Sequence, residues 1–173
     1  MSGKLKGIYD ALDHGNYKNA CKLCTTFLQK QPSHALGRAL HAVALERCGR
    51  RDEAIRLCRE TIDAGATAAS GAVAYLDDTC INTLQVVLRR CRHLDVIAEM
   101  FEAAWSREPD MEEYGSALFL THVRMHVFAK AQQAATKMYR KFNKPQYLLW
   151  VIAAILLQVR AGAPVKLLDL AAM

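Results

Sequence analysis

The chain lacks most of the short signatures by which a sequence announces an activity. It has no Gly-x-x-x-x-Gly-Lys-Ser/Thr phosphate loop, no Gly-x-Ser-x-Gly nucleophile turn and no His-Glu-x-x-His helix, so none of those three chemistries is expected of it. Four prolines and nine glycines are too few for a fibrous or disordered protein. No hydrophobic run reaches the roughly 20 residues of a membrane-spanning helix. The most apolar stretch, Tyr147 to Val159 (YLLWVIAAILLQV), has the length of one core helix. The first residues, MSGKLKGIYDAL, lack the apolar core of a signal peptide. On that reading the six cysteines are expected to be reduced thiols in the cytosol and not a disulfide framework.

What the chain does have is a repeat. Laying Gly15 over Gly49, a shift of 34 residues, places Ala20 on Ala54, Cys24 on Cys58 and Leu28 on Ile62. Each copy reads as a helix, a Gly-centred turn and a second helix. Pro32, Ala66, Pro109 and Asn143 close successive copies at steps of 34, 43 and 34 residues, so the third copy carries an insertion. That insertion is assigned to about 64–76, in the Ala/Gly/Ser stretch DAGATAASGAVAY, which reads as a loop. The copies are expected at about 1–34, 35–66, 78–110 and 111–144, with a fifth beginning over 145–160. The fold class is therefore all-α, a single α-solenoid array over 1–173 of about four helix-turn-helix repeats plus a further helix.

The spacing has a physical cause. A helix pair exposes an apolar face that only the next pair covers. Small residues at Ala20, Ala54 and Ala131 allow the helices to approach, and Cys24, Cys58, Phe101, Trp105 and Tyr139 occupy packing positions between layers. Gly15 and Gly49 fall where a helix ends and a positive φ is cheap. The period and these positions resemble the tetratricopeptide repeat. Tyr147 to Val159, apolar nearly all round, is expected to drive self-association through that end.

Two constellations invite a metal. Cys21-x-x-Cys24 lies within a helix, without a second cysteine pair at ligand spacing, so both cysteines are read as packing residues. His122 and His126 stand four residues apart without a third ligand nearby, and His126 takes the place of a turn glycine. Trp105 and Trp150, with Tyr147, are read as core and not as a stacking platform. No metal and no cofactor are expected.

Charge is distributed unevenly. Nearly all of the formal net charge of +6 falls in the turns inside helix pairs, whereas the turns between pairs carry none. In a solenoid the first set lines one edge. Arg47, Arg50, Arg51, Arg89, Arg90, Arg92, Arg124 and Lys130 would form it, a basic ridge suited to nucleic-acid phosphates.

Three stretches carry a narrower resemblance: LKGIYDALDHGNYKNA, FEAAWSREPDMEEYGSALFLTHVRM and QQAATKMYRKFNKPQYLLWVIAAILLQ. From about Lys4 to Gln158 the chain resembles the N-terminal tetratricopeptide region of the auxiliary subunits of the NatB N-terminal acetyltransferase. Their acetyl-CoA loop belongs to a partner chain, and no Arg/Gln-x-x-Gly-x-Gly/Ala stretch occurs here. The resemblance implies a non-catalytic scaffold that wraps a catalytic acetyltransferase subunit and helps anchor it at the ribosome, with ribosomal RNA as a further partner. It also implies a cytoplasmic, ribosome-associated location, no membrane contact and no small-molecule substrate of its own. This chain would then be the first few repeats of a longer protein. The alternative is a free-standing tetratricopeptide adaptor that grips a peptide tail. Its expected Lys/Asn clamp is missing from ALGRALHAVALERC and TCINTLQVVLRRC.

Overall fold

In the computed structural model, residues 3–67 and 76–162 are described, with side chains over 5–65 and 76–162. Every regular element among them is helical: α1 (Gly3–Asp13), α2 (Tyr17–Lys30), α3 (Ala35–Arg47), α4 (Arg51–Thr67), α5 (Asp78–Arg90), α6 (Leu94–Arg107), α7 (Glu112–Arg124), α8 (Phe128–Phe142) and α9 (Pro145–Arg160). The chain divides into two compact units, Met1–His93 and Leu94–Met173. The expected loop over the insertion requires a correction at its start. Asp63 to Thr67 continue α4 as helix, because Gly65 lets the Leu76 side chain lie directly against the helix. The rest of that loop, 68–75, lies outside the described residues.

One turn recurs at the end of five helices. Gly15, Gly49, Arg92, His126 and Gly162 all have left-handed φ, between +58° and +83°. In the first four, two hydrogen bonds close the turn. The amide of the left-handed residue reaches back three residues, and the next amide reaches back five: Asn16 to Ala11 (2.8 Å), Arg50 to Leu45 (2.9 Å), His93 to Leu88 (2.9 Å) and Val127 to His122 (3.0 Å). This is the Schellman arrangement, which satisfies the last orphan carbonyls of a helix. The carbonyls of Asn16, Arg50 and Val127 then accept from the amides of Ala20, Ala54 and Ala131, so the closing residue of one helix opens the next.

In the first unit, α1 packs on α2, α2 on α3, and α3 on both α4 and α5. Ala11, Ala20 and Ala44 meet in one small-residue layer. Leu5, Ile8, Cys24, Phe27 and Leu40 form the larger cluster beside it. The Phe27 ring lies edge-on to His34 and fills the space where a Gly37 Cβ would stand, 2.7 Å from the ring. His34 also accepts the Gly37 amide at Nδ1 (3.1 Å), capping α3. In the second unit, α6 packs on α7, α7 on α8, and α8 on α9. Trp105 repeats the Phe27 device. Its ring occupies the space above Gly115, 3.0 Å from the position of an added Cβ, and its indole N–H donates to the Pro109 carbonyl.

Ala20, Cys24, Ala54, Cys58, Phe101, Trp105 and Ala131 are all buried. Tyr139 is half-buried, and Met138 beside it takes the fully buried place. Trp150 is also only half-buried, stacked on Phe119 (4.5 Å) and edge-on to Tyr147. On α9, Tyr147, Val151, Ala154 and Gln158 are buried, while Leu149 (65% exposed), Ile152, Leu156 (63%) and Val159 form an outward apolar stripe.

Non-glycine residues in the left-handed region are costly, by roughly 1–2 kcal/mol, partly offset by the backbone entropy of glycine. His126→Gly is therefore expected to raise the unfolding free energy by about 0.5–1 kcal/mol, measured by urea denaturation. A decrease would mean that the His126 ring, which lies edge-on to Phe128, outweighs the backbone strain. Gly115→Ala should lower stability by about 1–3 kcal/mol, since the added methyl meets the indole and Met138 and overpacks the core. An unchanged midpoint would contradict the close-approach account.

Candidate functional site

The arginines expected at a basic edge are distributed over the turns that follow α3 and α5. Arg47, Arg50, Arg51, Arg89, Arg90 and Arg92 are all exposed. Half of them are answered by carboxylates. Glu46 is only 7% exposed and is bracketed by Arg90 (Nε to Oε1, 3.0 Å) and Arg47 (Nε to Oε2, 3.6 Å). Arg47 also lies over the Tyr17 ring, 5.6 Å from its centroid. Arg50 holds Glu53 through both carboxylate oxygens, which keeps the Glu53 carboxyl below its ordinary pKa. Arg51, Arg89 and Arg92 have no ion-pair partner among the described residues and are the cations of this set left for an outside anion. In the second unit, Arg124 and Lys130 are both exposed, and Lys130 lies at the edge of a pocket with His122. The single sequence contains no sign that Glu46 is buried: it stands between Leu45 and Arg47 at a helix end, where an acid is ordinarily solvated.

The two cysteines of Cys-x-x-Cys part company. Cys24 is fully buried, and burial pushes its thiol up to about 12. Cys21 is only partly buried and packs against the Ala11, Ala20 and Ala44 layer from its edge. A rotation of 300° over three residues leaves Cys21 at the rim when Cys24 faces the core. Its Sγ lies 3.8 Å from Cys48 Sγ, and partial burial followed by that thiol contact raises its pKa to about 11. Both thiols line an open cavity of ≈ 720 Å³ with Lys18, Lys22, His41 and Arg50. No group of three metal-ligating side chains occurs among the described residues.

His122 and His126 do not converge. His126 is exposed at its turn. His122 is 5% exposed on α7, with an Nδ1 that has no hydrogen-bond partner. Burial first, then the neighbouring Lys130 charge, holds its pKa below the ordinary value. It lines a pocket of ≈ 230 Å³ with Glu102, Trp105, Lys130 and Lys137.

Comparison with known proteins follows from this geometry. The family model described as "Psidin, N-terminal TPR repeats region" matches residues 3–172. The chain is 38% identical over 156 residues to the Arabidopsis thaliana "N-terminal acetyltransferase B complex auxiliary subunit NAA25", covering 90% of this chain and 14% of that protein. It is 30% identical over 155 residues to the Homo sapiens "N-alpha-acetyltransferase 25, NatB auxiliary subunit", covering 90% of this chain and 15% of that one. It thus spans about one seventh of the length of the relatives it matches. Among solved structures, the Naa15 complex "Naa15/Naa10 bound to HypK-THB" aligns with a TM-score of 0.59 at 17% identity, over 91% of this chain and 22% of that one. The MamA protein aligns with a TM-score of 0.56 at 13% identity, over 90% of this chain and 80% of that one. These likenesses establish an α-solenoid fold of tetratricopeptide type.

Because the thiolate is the reactive form, the raised Cys21 pKa has a kinetic consequence. Alkylation of Cys21 by iodoacetamide, followed by mass spectrometry, should still be accelerating between about pH 10 and 11, where an ordinary exposed thiol has levelled off. A plateau near pH 10 would show that the Cys48 contact and partial burial do not restrain the group.

Proposed function

The chain belongs to the family of Psidin N-terminal TPR repeat regions, and from that premise we propose that it forms part of a non-catalytic auxiliary subunit of a NatB N-terminal acetyltransferase. The 38% identity to the Arabidopsis auxiliary subunit carries the reading. In it, this segment contributes helical scaffold to a complex whose activity resides in a partner chain. That partner acetylates the initiator methionine of nascent chains beginning Met-Asp, Met-Glu, Met-Asn or Met-Gln. The complex works in the cytoplasm, at the ribosome.

The finer part of the proposal concerns the ribosome. Arg51, Arg89 and Arg92 are exposed without an acidic partner among the described residues, and such cations gain most by neutralising phosphates. Arg47, Arg50 and Arg90 contribute less, since each already shares its charge with Glu46 or Glu53.

Co-purification tests the coarser statement. The full-length protein that contains this segment should bring down a small acetyltransferase that modifies a Met-Asp peptide. Recovery of the intact protein with no acetyltransferase would overturn it. The ribosome reading is tested separately by Arg51→Glu, Arg89→Glu and Arg92→Glu combined in that protein. Co-sedimentation with ribosomes at low salt should fall, and the remaining binding should depend less steeply on salt. Unchanged co-sedimentation would remove the ridge from the account while leaving the acetyltransferase reading intact.

A further inference from the structure

The second unit contains a groove that the scaffold role does not use. Its deep end is the His122 pocket, walled by Trp105 and Leu118 and rimmed by Glu102, Lys130 and Lys137. Through Gln133 and Lys137 it adjoins an open cavity of ≈ 560 Å³ along α8, lined also by Thr136, Arg140 and Lys141. Two buried polar atoms lie unpartnered along this path: His122 Nδ1, in a side chain of a residue 5% exposed, and Thr136 Oγ1, in one 8% exposed. An orphaned polar atom in a protein interior costs free energy unless something satisfies it. Two such atoms in adjoining cavities mark a place built to receive a polar group.

The lining specifies which group. Lys130, Lys137 and Lys141 line the two cavities, and the one acid in that lining is Glu102. Lys137 is held with its ammonium 4.2 Å from the centre of the Trp105 ring. Lys141 is paired with Asp110, which is almost fully exposed. The inner pocket, at ≈ 230 Å³, is smaller than the roughly 300–1,000 Å³ of sites for drug-sized ligands. It has room for one acidic side chain, with apolar walls for an aliphatic stem and polar groups for its tip.

We propose that this groove docks an acidic peptide segment of a protein partner, with one Glu or Asp side chain entering the pocket against His122 and Lys130. A nucleic-acid phosphate shares the charge but not the fit to the walls, since Trp105 and Leu118 suit an aliphatic stem better than a hydroxylated sugar. The inference is independent of the acetyltransferase reading and holds for any partner bearing such a segment.

A fluorescein-labelled dodecapeptide of alternating Glu and Ser tests it by anisotropy against the 173-residue chain carrying Arg51→Glu, Arg89→Glu and Arg92→Glu, which removes the separate ridge. The Gln/Ser peptide and a ten-nucleotide oligouridine are the controls. Saturable binding of the Glu peptide alone is expected, weakened about tenfold, or about 1.4 kcal/mol, by Lys130→Ala with Lys137→Ala. Binding should also tighten from pH 7.5 to pH 6. His122 is held neutral in the free pocket, and a carboxylate beside it raises its pKa, so a proton is taken up on binding; Glu102 from α6 and the two lysines from α8 are the charged groups facing it. His122→Asn should abolish that pH dependence while circular dichroism stays unchanged. If the variant fails to fold, the ¹⁵N resonances of the wild-type His122 ring replace it, and they should shift with the Glu peptide only. Equal binding of the Gln peptide, equal binding of oligouridine, or an unmoved His122 resonance would each overturn the proposal.

Discussion

Inside each compact unit, the residue that closes one helix sets where the next helix of the pair begins. At Gly15, Gly49, Arg92 and His126 the chain adopts a left-handed φ and closes the same pair of backbone hydrogen bonds. After Gly15, Gly49 and His126 the next residue's carbonyl opens the following helix, and five residues past the turn Ala20, Ala54 and Ala131 are each wholly buried, whereas Ile97 stands five past Arg92. The order is physical. A Schellman turn spends one residue in the left-handed region and leaves the next amide pointed back down the helix. After Gly15, Gly49 and His126 the following helix starts at once and passes close to the one before it, α1 on α2, α3 on α4 and α7 on α8, which a small residue favours. Packing of Phe27 on Gly37 and of Trp105 on Gly115 extends the same closeness to the next helix along.

This dependence explains which features were legible in the sequence. Gly15 and Gly49 reveal the turn because glycine is the residue for which a positive φ is cheap, and the Ala20/Ala54 register follows from them. His126 was recognisable as a replacement, since the repeat placed it where glycine belonged. Arg92 was not: its place was counted as a charge, and the insertion before it disturbed the register by which the turn could be found. Tyr139 lies at the rim of its layer because neighbouring residues stand about 100° apart around a helix. The adjacent Met138 took the interior place.

The candidate sites were less legible than the fold, for a different reason. Burial of a polar group depends on what crosses it from another helix, and that information lies far away in the chain. Glu46 is enclosed because Arg90, 44 residues later, reaches it. Cys21 is at a rim because Cys48 and Arg50 form the far wall of its cavity. His122 looked like half of a metal pair, yet its depth is set by Trp105 from α6 and Lys130 and Lys137 from α8. A local pattern of four residues holds none of these distances.

The same reasoning changes the meaning of the net charge. Counted along the chain, the positive residues form one ridge with every arginine equal. Counted in the structure, Glu46 and Glu53 answer Arg47, Arg50 and Arg90. Lys130 lies at the edge of a pocket with a buried histidine. A salt bridge at a surface contributes little to stability, about 0–1 kcal/mol. Its larger effect here is on recognition, because an arginine held by a carboxylate must give up that partner before it takes a phosphate. Three cations in the first unit, Arg51, Arg89 and Arg92, carry no such obligation to a described residue. Sequence charge therefore overstates the width of the ridge, and it conceals a second concentration of positive charge along α8, beside the pocket of the buried His122.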